Sequence, residues 1–307
     1  MMTRTPGKGK QKARPRQALR RPVTRLLTRP REAHTLCAAK RAHRGPQARG
    51  TRLMDLGIVT YNIAKDWDLD TLLDRCEALG YTGVELRTGH AHGVEAGLSA
   101  QARAEVRAKF DARPVALVGL GTTFEFHSPD PEERARHVQG TKDYVRLARD
   151  LGASGVKVRP NAFPADVPRE TTIKRIGACL REAGAFGADH GVQIRLEVHG
   201  PETCHPPHIR AMLDAADHPN VVACWNSNRN EPDENGSIRA HFDLLRGRIG
   251  LVHINELWRE DYPWAELFAL LRESGYDGYC LAEIPGSADP EGVLRCYRVL
   301  FRALGGM

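Results

Sequence analysis

The sequence lacks any run approaching the roughly 18 to 20 uninterrupted apolar residues of a membrane-spanning helix, which excludes a helical membrane protein. It also lacks a C-x-x-C pair. Its seven cysteines (Cys37, Cys76, Cys179, Cys204, Cys224, Cys280, Cys296) lie far apart. That spacing excludes a zinc ribbon, and an odd, scattered count fits a reducing, cytoplasmic setting better than a disulfide framework. Acidic residues are almost missing from the first 53 positions, where Glu32 stands against 16 Lys and Arg.

That last scarcity changes the meaning of the overall charge. The 307 residues carry 45 basic and 38 acidic groups, a formal +7 that on its face suggests a nucleic-acid partner. Residues 1–53 alone account for +15, and residues 54–307 hold 29 basic against 37 acidic groups, a charge of −8. The chain therefore reads as an acidic globule behind a basic leader. The leader has no apolar period and no hydrophobic segment after Arg20-Arg21, so it is expected to be disordered and is not a secretory signal. A nucleic-acid arm, a targeting peptide and a translated upstream segment with the true start at Met54 remain open. The third is favoured, because the first strand pattern follows Met54 at once.

From there, short β-branched or Leu-rich runs alternate with amphipathic stretches. The runs are 56–61, 83–87, 115–121, 155–160, 192–198, 221–226, 249–255 and 278–284. Between them lie helical patterns such as 69–80 and 137–152, and Asp130-Pro131 and Asp289-Pro290 have the form of helix starts. Eight strand–helix units in 254 residues predict an α/β fold, a (β/α)8 TIM barrel over 54–307. A doubly wound sheet is the competitor, and it lacks its Gly-rich phosphate turn after the first strand.

Polar residues collect at the strand ends, where barrels build their sites. Glu197, Asn226, His253 and Glu283 fall 29, 27 and 30 positions apart, one per unit on strands five to eight. Two carboxylates, an amide oxygen and an imidazole suit Mn²⁺, Mg²⁺, Co²⁺ or Zn²⁺. Lys157 and Arg159 share a parity on strand four, and either a rim ion pair or a place in the pocket fits them. Glu85, His90, His92, Glu125 and His127 are further rim groups. Trp258, Tyr262 and Trp264 fit either a wall over a sugar ring or packing at a helix start.

The chain resembles the xylose isomerase-like TIM barrels, which include sugar isomerases and epimerases, inosose dehydratases and apurinic endonucleases, from residue 54 to about 303. Glu197, His253 and Glu283 match that family's metal-ligand positions in type and order. The segment His253-Ile-Asn-Glu256 followed by Arg259 resembles the strand-seven motif of its sugar epimerases. The resemblance implies a divalent metal, proton transfer between Glu197 and Glu283 through an enediolate, and a carbohydrate partner whose oxygens Arg259 would contact; His199, Glu256, Lys157, Arg159 and Arg87 are the further substrate-binding candidates. Asn226 departs from the usual Asp, and Arg229 from the usual His. The expectation is a metal bound more weakly, or lost with Arg229 or another cation in its place. An inosose-type dehydratase and a metal-free sugar-binding barrel are the alternatives. The missing ligands and the acidic globule argue against an endonuclease and against nucleic acid as a partner. No membrane partner is expected, and a homo-oligomer is compatible with the family.

Overall fold

The structure is a computed structural model that describes residues 54–305, so the expectation of disorder for the leader falls outside the described residues. Eight strands alternate with eight helices. The strands are β1 Asp55–Val59, β2 Gly83–Arg87, β3 Ala116–Glu125, β4 Gly155–Arg159, β5 Gln193–Glu197, β6 Val221–Asn226, β7 Ile249–Ile254 and β8 Tyr279–Ala282. The helices are α1 Leu69–Leu79, α2 Ala100–Asp111, α3 Pro131–Leu151, α4 Arg169–Asp189, α5 Pro206–Ala216, α6 Arg239–Leu245, α7 Trp264–Glu273 and α8 Pro290–Ala303. All strand pairs are parallel and β8 closes onto β1, giving the (β/α)8 TIM barrel read from the sequence.

Local chemistry sets the element boundaries. Asp68, Asp130 and Asp289 cap α1, α3 and α8, each side chain accepting a backbone N–H of the first turn. The prolines that follow Asp130 and Asp289 occupy first-turn positions that need no N–H donor. Strand β3 is longer than the sequence pattern suggested. Its Thr122-Thr123-Phe124 segment suits extended backbone, and it carries Glu125 to the strand end.

Strand parity then separates two surfaces. Val84, Leu86, Val156, Val158, Ile194, Leu196, Val252, Ile254, Cys280 and Ala282 point outward into the main core with the helices. The opposite parity faces the barrel axis. There Val59, Val118, Cys224, Leu251 and Leu281 form an apolar plug against Tyr279. Above the plug, at the C-terminal ends of the strands, the same parity carries Glu85, Lys157, Glu197, Asn226 and His253, all buried. Space for one of them comes from Gly121, where a Cβ would lie 2.7 Å from Glu85 Oε1.

Candidate active site

The barrel stagger decides which strand-end groups meet. Asn226 lies directly opposite His253, whereas Glu197 lies opposite Cys224, two residues earlier on the same strand. The tilt nevertheless brings the four groups together. His253 Nδ1 is 3.6 Å from Glu197 Oε1 and 3.4 Å from Glu283 Oε2. Asn226 Nδ2 donates to Glu197 Oε1 at 3.3 Å. Ligand atoms of Glu197, His253 and Glu283 all lie within 4.8 Å of one another, the one such group of three among the described residues.

The arrangement fits a divalent ion. His253 Nδ1, one of the convergent atoms, is buried without a hydrogen-bond partner, and so is Oδ1 of Asn226, whose Nδ2 faces Glu197. On the far side of the imidazole, Glu85 Oε1 lies 3.3 Å from His253 Nε2, and both residues are fully buried. A carboxylate behind a histidine orients the ring and fixes which nitrogen faces a ligand. Glu85 is therefore an internal positioning group rather than the rim residue suggested by its place at a strand end. Its parity between the outward-facing Val84 and Leu86 was the available signal.

Electrostatics tie these groups into one unit. Burial alone would raise the carboxyl pKa of Glu197, but Lys157 first and then His253 pull it below the ordinary value. Burial also opposes a charge on His253, yet its neighbours outweigh that and raise its pKa well above the ordinary imidazole value. Cys224 contributes most among them, followed by Glu85 and Glu283. Because burial pushes the Cys224 thiol itself up, the carboxylates carry this effect.

The other expected site residues separate into three groups. Lys157 lies inside the barrel with its Nζ 2.6 Å from Glu197 Oε2. Arg159 Nη2 sits 2.5 Å from Glu125 Oε1, and Asn161 Nδ2 donates to the other oxygen of that carboxylate at 3.0 Å. Both strand-four cations thus form the ion pairs that were one of their two readings. His199 and Arg259 offer free polar atoms instead: His199 Nδ1 and Arg259 Nη2 are buried without partners, although Arg259 Nε donates to Asp261. Burial lowers the His199 pKa although Glu197 works against it. Arg87 donates to Thr88, and Glu256 is partly buried after β7.

Three readings are corrected or narrowed. Arg229 does not fill a cation position in the site, since its side chain is 77% exposed and reaches toward Asp261. The cation beside the ligands is Lys157. His92 uses both ring nitrogens on local backbone, through Arg87 O and Val94 N, and His90 Nδ1 meets Thr60 Oγ1 at 3.1 Å, so His92 has no nitrogen left for a metal. Tyr262 and Trp264 are buried at the approach to α7, which leaves Trp258, 49% exposed, as the member of that aromatic trio open to a ligand. Sequence reasoning also passed over Glu231, a fully buried carboxyl behind β6.

A family model described as xylose isomerase-like TIM barrel matches residues 73–298. The chain belongs to that family. Solved structures with the same fold include D-psicose 3-epimerase from Clostridium cellulolyticum H10 with D-tagatose. It has a TM-score of 0.63 at 18% identity, covering 82% of this chain and 96% of that one. An IOLI protein with a bound zinc atom superposes with a TM-score of 0.69 at 18% identity, over 82% and 98% of the two chains. The 3-keto-D-glucoside 4-epimerase of E. coli, in its apo form, gives 0.68 at 16% identity, over 81% and 99%. No helix among the described residues is long and apolar enough to cross a membrane.

Proposed function

We propose that this barrel is a metal-assisted isomerase or epimerase of a small sugar, sugar phosphate or polyol. The observation that carries the reading is the convergence of Glu197, His253 and Glu283 at the barrel mouth, with Asn226 bonded to Glu197 and with His253 Nδ1 and Asn226 Oδ1 left without partners. Those four residues would hold a Mn²⁺, Co²⁺, Mg²⁺ or Zn²⁺ ion. Such an ion polarises a carbonyl and its neighbouring hydroxyl, which acidifies the adjoining C–H.

The two glutamates divide the remaining work unequally. Glu283 is the more open, its side chain 16% exposed against 2% for Glu197, so it is placed to take the proton from the substrate carbon. Glu197 has Oε2 tied to Lys157 and Oε1 accepting from Asn226 Nδ2, so returning a proton to the enediolate would require Oε1 first to lose that bond and take up a proton. Arg259 Nη2 and His199 Nδ1, buried and unpartnered, would bind substrate oxygens. Glu256, Arg87 and Arg159 would complete the polar wall, and the −8 charge of the globule favours neutral carbohydrate over polyanions. The epimerases among the fold neighbours support a carbohydrate substrate.

The Lys157–Glu197 pair favours one second reading, dehydration of a cyclic polyol, because elimination needs one carboxylate base and a proton donor for the departing hydroxyl, and the Lys157 ammonium stands beside the second carboxylate. Deuterium incorporation in D2O with Mn²⁺, followed by NMR over a panel of ketoses and inososes, tests both readings. Exchange at a carbon next to the carbonyl, reduced about 100-fold or more in Glu283→Gln, is the expected outcome. Stereochemical inversion without loss of water selects epimerisation. No exchange with any compound of the panel overturns both.

A further inference from the structure

Both oxygens of Glu197 are already occupied by donors from the protein. Lys157 Nζ lies 2.6 Å from Oε2, with each side chain 3% exposed or less. Asn226 Nδ2 lies 3.3 Å from Oε1. The amide of Asn226 therefore turns its donor toward the ligand cluster while its Oδ1 is buried without a partner. Such an arrangement differs from the surface pairs of the same molecule. Lys109–Asp70 and Lys142–Glu182, for example, each have one partner about 60% exposed, where solvent screens the charges. Inside the barrel, the Lys157 ammonium is held against the site by a carboxylate and is buried with it.

Counting formal charges in the buried unit gives −3 from Glu85, Glu197 and Glu283, and +1 from Lys157. With His253 neutral, the form that a metal requires, the unit carries −2, and Asn226 adds nothing. A divalent ion drawn to Glu197 Oε1 must approach a fixed ammonium hydrogen-bonded to the other oxygen of the same carboxylate. The repulsion is little screened in a buried setting. The ion must also turn over the Asn226 amide to obtain its oxygen, and that breaks the bond to Glu197.

We propose that Lys157 is a built-in cation which, together with the neutral amide of Asn226, weakens the grip of this ligand set on divalent metal and satisfies Glu197 when no metal is bound. The inference rests on the metal-site reading above and goes beyond it. Occupancy of the site is then set by metal supply, and one of the three buried carboxylates is balanced without an ion.

Titration of the full-length protein with Mn²⁺ alone, read by calorimetry and by Mn²⁺ electron paramagnetic resonance, tests it. Lys157→Met is expected to bind Mn²⁺ at least about tenfold more tightly than the wild type, equivalent to about 1.4 kcal/mol. Asn226→Asp is expected to tighten binding as well. A purely structural role for Lys157 predicts the opposite sign, because loosening Glu197 would weaken binding. Unchanged or weaker Mn²⁺ affinity in a folded Lys157→Met therefore overturns the proposal. Lys157→Gln keeps a donor for Oε2 without the charge, and it decides the matter by the same criterion where the methionine variant does not fold. His253→Ala separates the two levels of the argument. Mn²⁺ binding that survives this substitution, or no binding in any variant, removes the metal-site reading and the proposal with it. His253-dependent binding that Lys157→Met fails to tighten removes the proposal alone.

Discussion

Two fully buried glutamates on neighbouring units of the barrel are held in opposite directions by their surroundings. Glu197, at the end of β5, faces the axis and is pulled toward its ionised form by Lys157 and His253. Glu231, in the segment after β6, has no cation in hydrogen-bond contact. Tyr262 Oη donates to it at 2.6 Å and Asn228 Nδ2 at 3.1 Å. Burial there wins over those hydrogen bonds and over the more distant Arg259, and it pushes the Glu231 pKa up to about 7. Equal burial thus gives opposite results, and the partner decides which. The glutamate with a cation belongs to the candidate site. The one without it lies behind the site, where it joins the segment after β6 to Tyr262 in the segment after β7.

The same substitution at both positions breaks the symmetry most sharply. Glu197→Gln leaves Lys157 buried without a full counter-charge, which costs on the order of 3 kcal/mol or more at neutral pH. Glu231→Gln replaces a carboxyl that burial already favours in its neutral form, and it is expected to cost under about 1 kcal/mol at pH 5. Urea denaturation of the two variants side by side checks the pair. Equal losses would show that burial alone, without Lys157, sets the behaviour of both.

A smaller effect follows from pH. A carboxyl whose pKa rises from 4.5 in the unfolded chain to about 7 in the fold keeps its proton longer when folded. Its contribution to stability is full below pH 4.5 and disappears as pH rises through about 7. That window is worth about 3 kcal/mol at most. Relative to the wild type, Glu231→Gln should therefore gain stability between pH 4.5 and 7.5, while a variant elsewhere on the surface should not. A constant difference across that range, measured by denaturation at each pH, would show that Glu231 does not titrate in the fold.

The contrast between these glutamates also marks how far the sequence could be read. Glu197, His253 and Glu283 were legible because polar residues collect at the ends of the strand runs and recur once per strand–helix unit. The eight strands were legible as short β-branched or Leu-rich runs alternating with amphipathic stretches, and eight such units pointed to the barrel. Lys157 was half legible: parity placed it on the inner side of β4, but its partner follows from the stagger between β4 and β5, which no single strand encodes. Glu231 carried no pattern at all. It lies in the segment between β6 and α6, and its burial depends on Trp225 and Tyr262 meeting across two units. Arg229 was misjudged for a related reason, since the same segment turns it outward to Asp261.

The smallest test probes that cross-unit contact. Trp225 Nε1 donates to Tyr262 Oη at 3.0 Å, and Tyr262 Oη donates in turn to Glu231 Oε2, so one hydroxyl joins an outward-facing residue of β6 to the buried carboxyl. Tyr262→Phe removes both bonds while keeping the ring, at an expected cost of about 1 to 2 kcal/mol. Losing the Tyr262 bond, which lowers the Glu231 pKa, should also move the pH window described above upward. The Glu197 region shares no member of this chain, so Mn²⁺ affinity should stay at the wild-type value in Tyr262→Phe. A change in Mn²⁺ binding in that variant would mean that the two buried glutamates are coupled through the β6 segment, and that their opposite states belong to one network rather than two.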